Sequence, residues 1–305
     1  MKYIKLGGSQ LDASAIALGC MRISEMSVKE VSALVHKCIE LKINFFDHAD
    51  IYGGGVCEEL FGKVLKENSN LRKDIIIQSK CGIRNGFFDF SKEHILEATD
   101  GILKRLGIDC LDVLLLHRPD TLMEPEEIAS AFDILKKSGK VSYFGISNVN
   151  PGQIDFLQES LNQKLIVNQL QFSAAHTGMI DSGIFVNMKA EQSIDRDGSI
   201  LEYCRKKDIT IQTWSSLQYG FFDGTFLDSI KYPKLNNVLE RLAKENEVEK
   251  SAVAIAWILR HPANMQVIPG TTNITRLADM TKAVDIKLSR QEWYEIYQSA
   301  GNKLP

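Results

Sequence analysis

Short apolar runs alternate along the chain with longer stretches in which apolar side chains recur every three or four positions. The short runs are ALGC (17–20), NFFD (44–47), IIIQSK (75–80), DVLLLH (112–117), VSYFGIS (141–147), IVNQLQ (166–171), ITIQTW (209–214) and MQVIP (265–269). Several are apolar at nearly every position, as parallel strands covered on both faces are. The longer stretches read as amphipathic helices. VKEVSALVHKCIELK (28–42) sets Val31, Leu34, Val35, Cys38, Ile39 and Leu41 near helical spacing. Residues 91–107 open on Ser91, a good N-cap, and stop at Gly107. Residues 124–140 carry Pro125 in the first turn, Lys in the last and Gly139 as a stop. Further helices are expected near 151–161, 199–207, 234–246, 251–260 and 273–283, with a last one over 290–298.

Eight strands with intervening helices predict an α/β fold, the (β/α)₈ or TIM barrel. An open doubly wound sheet is the other arrangement of such elements, but no GxGxxG follows the first strand. The opening KYIKLGGSQLDASAI reads as a β-hairpin turning at Gly7-Gly8, placed to cap the closed end of the barrel, and a C-terminal helix follows the last strand. Residues 1–305 read as a single domain. Two connections are long, Ser173 to Ser199 and Ser215 to Pro233. Long loops in compact folds are usually functional or disordered, and barrel sites lie at the C-terminal strand ends. These loops are therefore candidate covers for a site.

Composition narrows the function classes. A net charge of -3 over 305 residues offers no basic footprint for nucleic acid. The N-terminus lacks a signal-peptide pattern, and no apolar run approaches the ~20 residues of a membrane span. The six cysteines form no CxxC pair, which fits reduced thiols in a cytoplasmic protein. Nothing in the sequence fixes an oligomeric state.

The chemistry is concentrated where strands end. NFFD ends at Asp47, IIIQSK at Lys80 and DVLLLH at His117, while Tyr52 follows Asp47 in the loop HADIYGGG. Each has a plainer reading alone: Asp47 as a cap, Lys80 as a solvated strand end, His117 as a core histidine, Tyr52 as loop packing. Together, on strands two, three and four, they suit carbonyl reduction. A tyrosine of pKa about 10 can protonate a developing alkoxide if that value comes down. A neighbouring Lys ammonium favours the phenolate. An Asp carboxylate holds the Lys charged, and a neutral His can hydrogen-bond the carbonyl oxygen.

FFDHADIYGGG, IIIQSKCGIR, LDVLLLHRPD, GKVSYFGISN and NQLQFS closely resemble the aldo-keto reductase family, and the likeness runs over nearly the whole chain. EEIASAFDILKKSGKVSYFGISN and AIAWILRHPANMQVIPGTTN resemble its bacterial oxidoreductases in particular. The resemblance implies a barrel, a nicotinamide cofactor, NADP or else NAD, a small carbonyl substrate and a catalytic tetrad of Asp47, Tyr52, Lys80 and His117. It implies that Ser147, Asn148 and Gln169 bind the cofactor's carboxamide and that Trp214 stacks on the nicotinamide. It also implies that Ser215, Leu217, Gln218 and Gly220 start a loop over the pyrophosphate. Gly270, Thr271 and Thr272 precede a helix with Arg276 in its first turn. Free N–H groups at a helix start bind phosphate, and Arg276 suits a 2'-phosphate. Two departures stand out: Gly270 occupies a position where many members carry Lys, and Asp279-Met280 replaces a Glu-Asn pair near the adenine.

Other signals are weaker. His48, Asp50 and Cys57 match no metal-ligand spacing. Gly53-Gly54-Gly55 lacks the GK[ST] of a phosphate loop and is expected to let backbone pass near the substrate. Cys81 reads as a packing thiol, and His36, His94, His176 and His261 show no pairing. Phe87, Phe88, Phe221 and Phe222 are candidate pocket walls. Two other functions remain open to these residues: a cofactor-binding regulatory module with little catalysis, and a Schiff-base aldolase acting through Lys80.

Overall fold

A computed structural model describes residues 1–305. Eight strands, here β1–β8, follow one another around a parallel sheet: Leu18–Gly19, Phe45–Asp47, Ile76–Cys81, Leu111–Leu116, Val141–Ser147, Leu165–Gln171, Thr210–Trp214 and Met265–Val267. β1 pairs with β2 and β7 with β8. The Ile16–Val267 bridge, with Ala17 N–H donating to Val267 O at 2.9 Å, joins the two ends into a barrel. All eight expected strands are present, within a few residues of their expected limits.

Eleven helices surround them: α1 Val28–Glu40, α2 Val56–Glu67, α3 Lys92–Leu106, α4 Pro125–Lys137, α5 Pro151–Ser160, α6 Gly178–Ile184, α7 Ile200–Lys207, α8 Pro233–Glu245, α9 Lys250–Arg260, α10 Ile274–Thr281 and α11 Arg290–Ser299. The capping signals act as expected: Ser91 accepts from His94 N–H, and Gly107 ends α3 at φ 64°. Two helices escape the periodicity reading. α6 lies inside the first long loop. α2 carries Gly62 mid-helix, normally a weak point. Here glycine is required, because a Cβ on Gly62 would lie 2.4 Å from Arg105 O on α3.

Two apolar layers hold the fold. One fills the space between strands and helices. The other fills the barrel's lower interior, where Leu6 and Ala13 meet Phe45, Val113, Leu115, Val167 and Ile268. Leu6 and Ala13 come from the N-terminal hairpin, Tyr3–Lys5 paired with Asp12–Ser14. Gly7 N–H donates to Thr210 Oγ1 at 2.7 Å, so the hairpin plugs the end opposite the strand C-termini. α11 docks on α9 through Trp293 stacked on Trp257, 4.9 Å between centroids. No helix is long and apolar enough to cross a membrane.

Candidate active site

The barrel interior changes character from bottom to top. Above the apolar plug lies a layer of amides. Gln78 Nε2 donates to Gln212 Oε1 at 2.8 Å, Gln169 Nε2 to the same oxygen at 3.1 Å, and Gln212 Nε2 to Gln266 Oε1 at 2.7 Å. Strand alternation explains the layer. Gln78 and Lys80 face inward on β3, while Ser79 between them faces out and bonds Glu58 of α2 at 2.5 Å. A buried amide is tolerated when it is hydrogen-bonded, and these amides donate upward to Asp47. Gln78 and Gln169 reach Asp47 Oδ1 at 2.6 and 3.1 Å.

Asp47, Lys80 and Tyr52 form the next layer. Lys80 Nζ lies 2.8 Å from Asp47 Oδ1 and donates to His48 O at 2.8 Å and Tyr52 Oη at 3.1 Å. Three donor directions meet three acceptors, which leaves the ammonium satisfied. His117 follows β4, and its ring stands edge-on to Tyr52 with centroids 6.0 Å apart. Its Nδ1 is buried without a partner. Asp47, Lys80 and His117, expected at the strand ends, thus gather with Tyr52 at one end of the barrel.

Their electrostatics differ in one respect from expectation. The ammonium beside Tyr52 pulls its pKa down, but burial outweighs it, and the phenol ends above its ordinary value. Burial opposes charge on Lys80, yet Asp47 and Tyr52 prevail and raise its pKa, so it remains an ammonium. Burial, aided by Lys80 and Arg118, holds His117 well below the usual imidazole range. At neutral pH the site therefore contains a protonated phenol, an ammonium and a neutral imidazole.

Tyr52 rides on a single turn of backbone. Gly53, Gly54 and Gly55 all take positive φ, at 58°, 64° and 97°, which side chains resist. A Cβ on Gly53 would lie 2.6 Å from Ser24 Cβ, and one on Gly55 2.9 Å from Arg105 Cδ. The close approaches at Gly53 and Gly55 are therefore to Ser24 and Arg105, while a Cβ on Gly54 would meet open space. Arg105 Nε pairs with the wholly buried Glu58 at 2.7 Å. Arg105, Glu58 and Ser79 thereby brace Tyr52 and Lys80 from behind.

The residues assigned to cofactor by resemblance form a second string. Trp214 Nε1 donates to Asn148 Oδ1 at 3.2 Å, Asn148 Nδ2 to Ser147 Oγ at 2.7 Å, and Ser147 Oγ to Gln169 O at 3.1 Å. Through Gln169 the string reaches Asp47. Asn148 adopts φ 59°, which turns its side chain back towards Trp214. After β7, Ser215 takes φ 52° and bonds Gln218 Oε1 at 2.7 Å. Residues 217–226 then double back, with Phe226 N–H donating to Leu217 O at 3.2 Å. Gln171 on β6 holds Gly220 O, and Ser173 holds Gln218 O at 2.7 Å. The turn delivers Phe221 and Phe222 to Trp214, with centroids 6.1 and 6.2 Å away.

Beyond β8, Gly270 is exposed, and Thr271 Oγ1 accepts from Asn273 N–H at 3.2 Å. Asn273 caps α10 by accepting from Arg276 N–H at 3.0 Å, so one of the helix's first N–H groups is already taken. Thr272 is half-buried and the Arg276 side chain is exposed. Asp279 pairs with Lys282 at 3.1 Å, and Met280 faces the core.

The remaining signals resolve simply. No cluster of metal-ligating side chains exists. Cys81 is buried and its thiol is pushed well up by burial. Three histidines expected to stand alone have local partners: His36 at Ser32 O (2.7 Å), His94 at Arg84 (2.7 Å) and His261 at Ala263 N–H (3.1 Å). Sequence reasoning missed the amide layer, the Glu58–Arg105 pair and Arg118. The position of Arg118 directly after His117 would have signalled the last.

Residues 15–300 match the model of the aldo/keto reductase family. The chain belongs to that family. It is 33% identical to the 6-dehydroglucose reductase of Agrobacterium fabrum, covering 96% of each chain. It is 33% identical to the oxidoreductase YdhF of Escherichia coli, over 94% of this chain and 93% of that one. The crystal structure of a thermostable aldo-keto reductase with the inhibitor epalrestat superposes at TM-score 0.79, with 26% identity over 98% of this chain and 100% of that chain. The protein is accordingly an oxidoreductase of the aldo-keto reductase family with a TIM-barrel fold.

Proposed function

We propose that the protein reduces an aldehyde or ketone with a nicotinamide cofactor, with Tyr52 as the general acid and residues 1–305 acting as one unit. The observation that carries this reading is the buried string Asp47–Lys80–Tyr52, with His117 beside it.

The residues fit such a cofactor. Trp214 offers a half-exposed aromatic face held by Asn148, a suitable seat for a flat ring. Ser147, Asn148 and Gln169 supply polar atoms for a carboxamide. Ser215, Leu217, Gln218 and Gly220 would line the diphosphate, with Gly270, Thr271, Thr272 and Arg276 at the far phosphate. Arg276 favours NADP. Gly270, without a side-chain cation, leaves NAD within reach.

Held by these residues, a reduced nicotinamide would supply the hydride for the carbonyl carbon. Tyr52 gives its proton to the carbonyl oxygen as charge builds there. Lys80, held charged by Asp47, stabilises the phenolate left behind. Neutral His117 donates from one ring nitrogen to the same oxygen and fixes the carbonyl's orientation. General acid catalysis of this kind is worth about 10²–10⁴ in rate.

The test is titration of the protein with NADPH and NADH, followed by a screen of small aldehydes, dicarbonyls and 6-oxo sugars, the last suggested by the relative's name. Tight NADPH binding with turnover on at least one carbonyl supports the reading. Cofactor retention without turnover across the screen points to a regulatory module.

A further inference from the structure

The side chain that follows His117 has no partner. Arg118 makes no hydrogen bond and no ion pair with any protein group, although it is half-buried at the barrel mouth. Its guanidinium lies 5.5 Å from the Trp214 ring centroid and 5.7 Å from that of Phe221. Stacking on rings uses the guanidinium's face and leaves the N–H groups at its edge free. Burial lowers its pKa while Tyr52 acts in the opposite direction, so the group lies within electrostatic reach of the phenol.

The acids nearest along the chain are committed elsewhere. Asp120 accepts from Phe90 N–H and Leu122 N–H, both at 2.9 Å. Asp89 accepts from Ser91 N–H at 3.0 Å. Asp47 belongs to Lys80. The mouth therefore holds a cation with a fork of free donors and no protein carboxylate to meet it. A planar oxyanion fits that fork in two parallel hydrogen bonds.

We propose that Arg118 anchors a carboxylate on the substrate, so that the preferred substrate is an oxo acid whose carbonyl is presented to Tyr52 and His117. The inference rests on the reductase reading above and adds the substrate class. Phe221, beside the same guanidinium, covers part of one of its faces.

The test compares 4-oxobutanoate with its methyl ester, the same aldehyde without the charge, with carboxybenzaldehydes against benzaldehyde to vary the reach. The wild type is expected to prefer the acid by tenfold or more in kcat/KM, mostly through KM. Arg118→Met should bring that ratio to near one, and Arg118→Lys, which keeps charge but loses the fork, should leave it between. Melting curves establish that both variants fold. An acid-to-ester ratio near one in the wild type overturns the proposal. So does an Arg118→Met variant that loses both substrates equally or loses NADPH affinity, since the guanidinium would then hold the cofactor. Turnover of other carbonyls in the wider screen, with none of the oxo acids preferred, overturns this inference alone; no turnover of any carbonyl overturns the reductase reading, and this inference with it.

Discussion

Lys80 Nζ stands 2.8 Å from Asp47 Oδ1, and the two side chains are 0% and 4% exposed. Removing either partner leaves a buried charge without its counterion, which costs about 3–5 kcal/mol. Asp47 retains donors from Gln78 and Gln169, whereas Lys80 without Asp47 retains only His48 O and Tyr52. Asp47→Leu should therefore destabilise more than Lys80→Met, and the double variant less than the sum. Guanidinium denaturation of the three variants measures this. Both single variants should also lose at least 100-fold in kcat/KM.

The Glu58–Arg105 pair has a second consequence. Glu58 is wholly buried and also bonds Ser79, next to Lys80. Arg105→Met should cost about 3–5 kcal/mol by leaving that carboxylate unpaired. Glu58→Gln/Arg105→Met together should recover part of it. Because Arg105 packs under Gly55, the single variant should lower kcat more than it raises KM, as read from steady-state kinetics.

The sequence made the strand order and the charged strand ends readable, because a strand buried on both faces is nearly all apolar and an ionisable residue at its tip stands out. Asp47, Lys80 and His117 were visible for that reason. Gln78, Gln212 and Gln266 were not, since polar residues inside apolar runs carry no mark of which face they take until register is known. α2 was obscured by Gly62, whose cause is a contact with α3 that only tertiary structure reveals. The phenol's raised pKa was equally hidden: proximity of a cation is legible in a motif, but the depth of burial that outweighs it is not.

Activity should depend on pH in a specific way. Tyr52 holds its proton above the ordinary phenol value, and His117 stays neutral well below the ordinary imidazole value. Reduction at saturating cofactor should therefore be flat from about pH 6.5 to about 9 and fall only at higher pH, as the phenol loses its proton. A kcat profile with a decline centred near neutrality would contradict the assignment.

Stability should respond to two other buried groups. Burial, with Lys80 nearby, brings His48 to about 3 from 6.5. Between those values the unfolded chain binds the proton and the folded chain does not, so stability falls as pH drops. Burial, with Glu58 nearby, pushes Asp50 up to about 7 from 3.8. There the folded chain keeps the proton, so stability falls as pH rises through that window. In urea midpoints at pH 4, 5.5 and 7, His48→Phe should weaken the acid-side loss, and Asp50→Asn the loss towards neutrality.

The most direct test replaces Tyr52 by Phe, which removes one oxygen and leaves Lys80, Asp47 and His117 in place. Single-turnover oxidation of bound NADPH by a small aldehyde is followed by absorbance, with cofactor affinity measured in parallel. The predicted result is unchanged NADPH binding with hydride transfer slowed by about 10²–10⁴. Transfer at the wild-type rate in the Phe variant would contradict the assignment of Tyr52 as the acid.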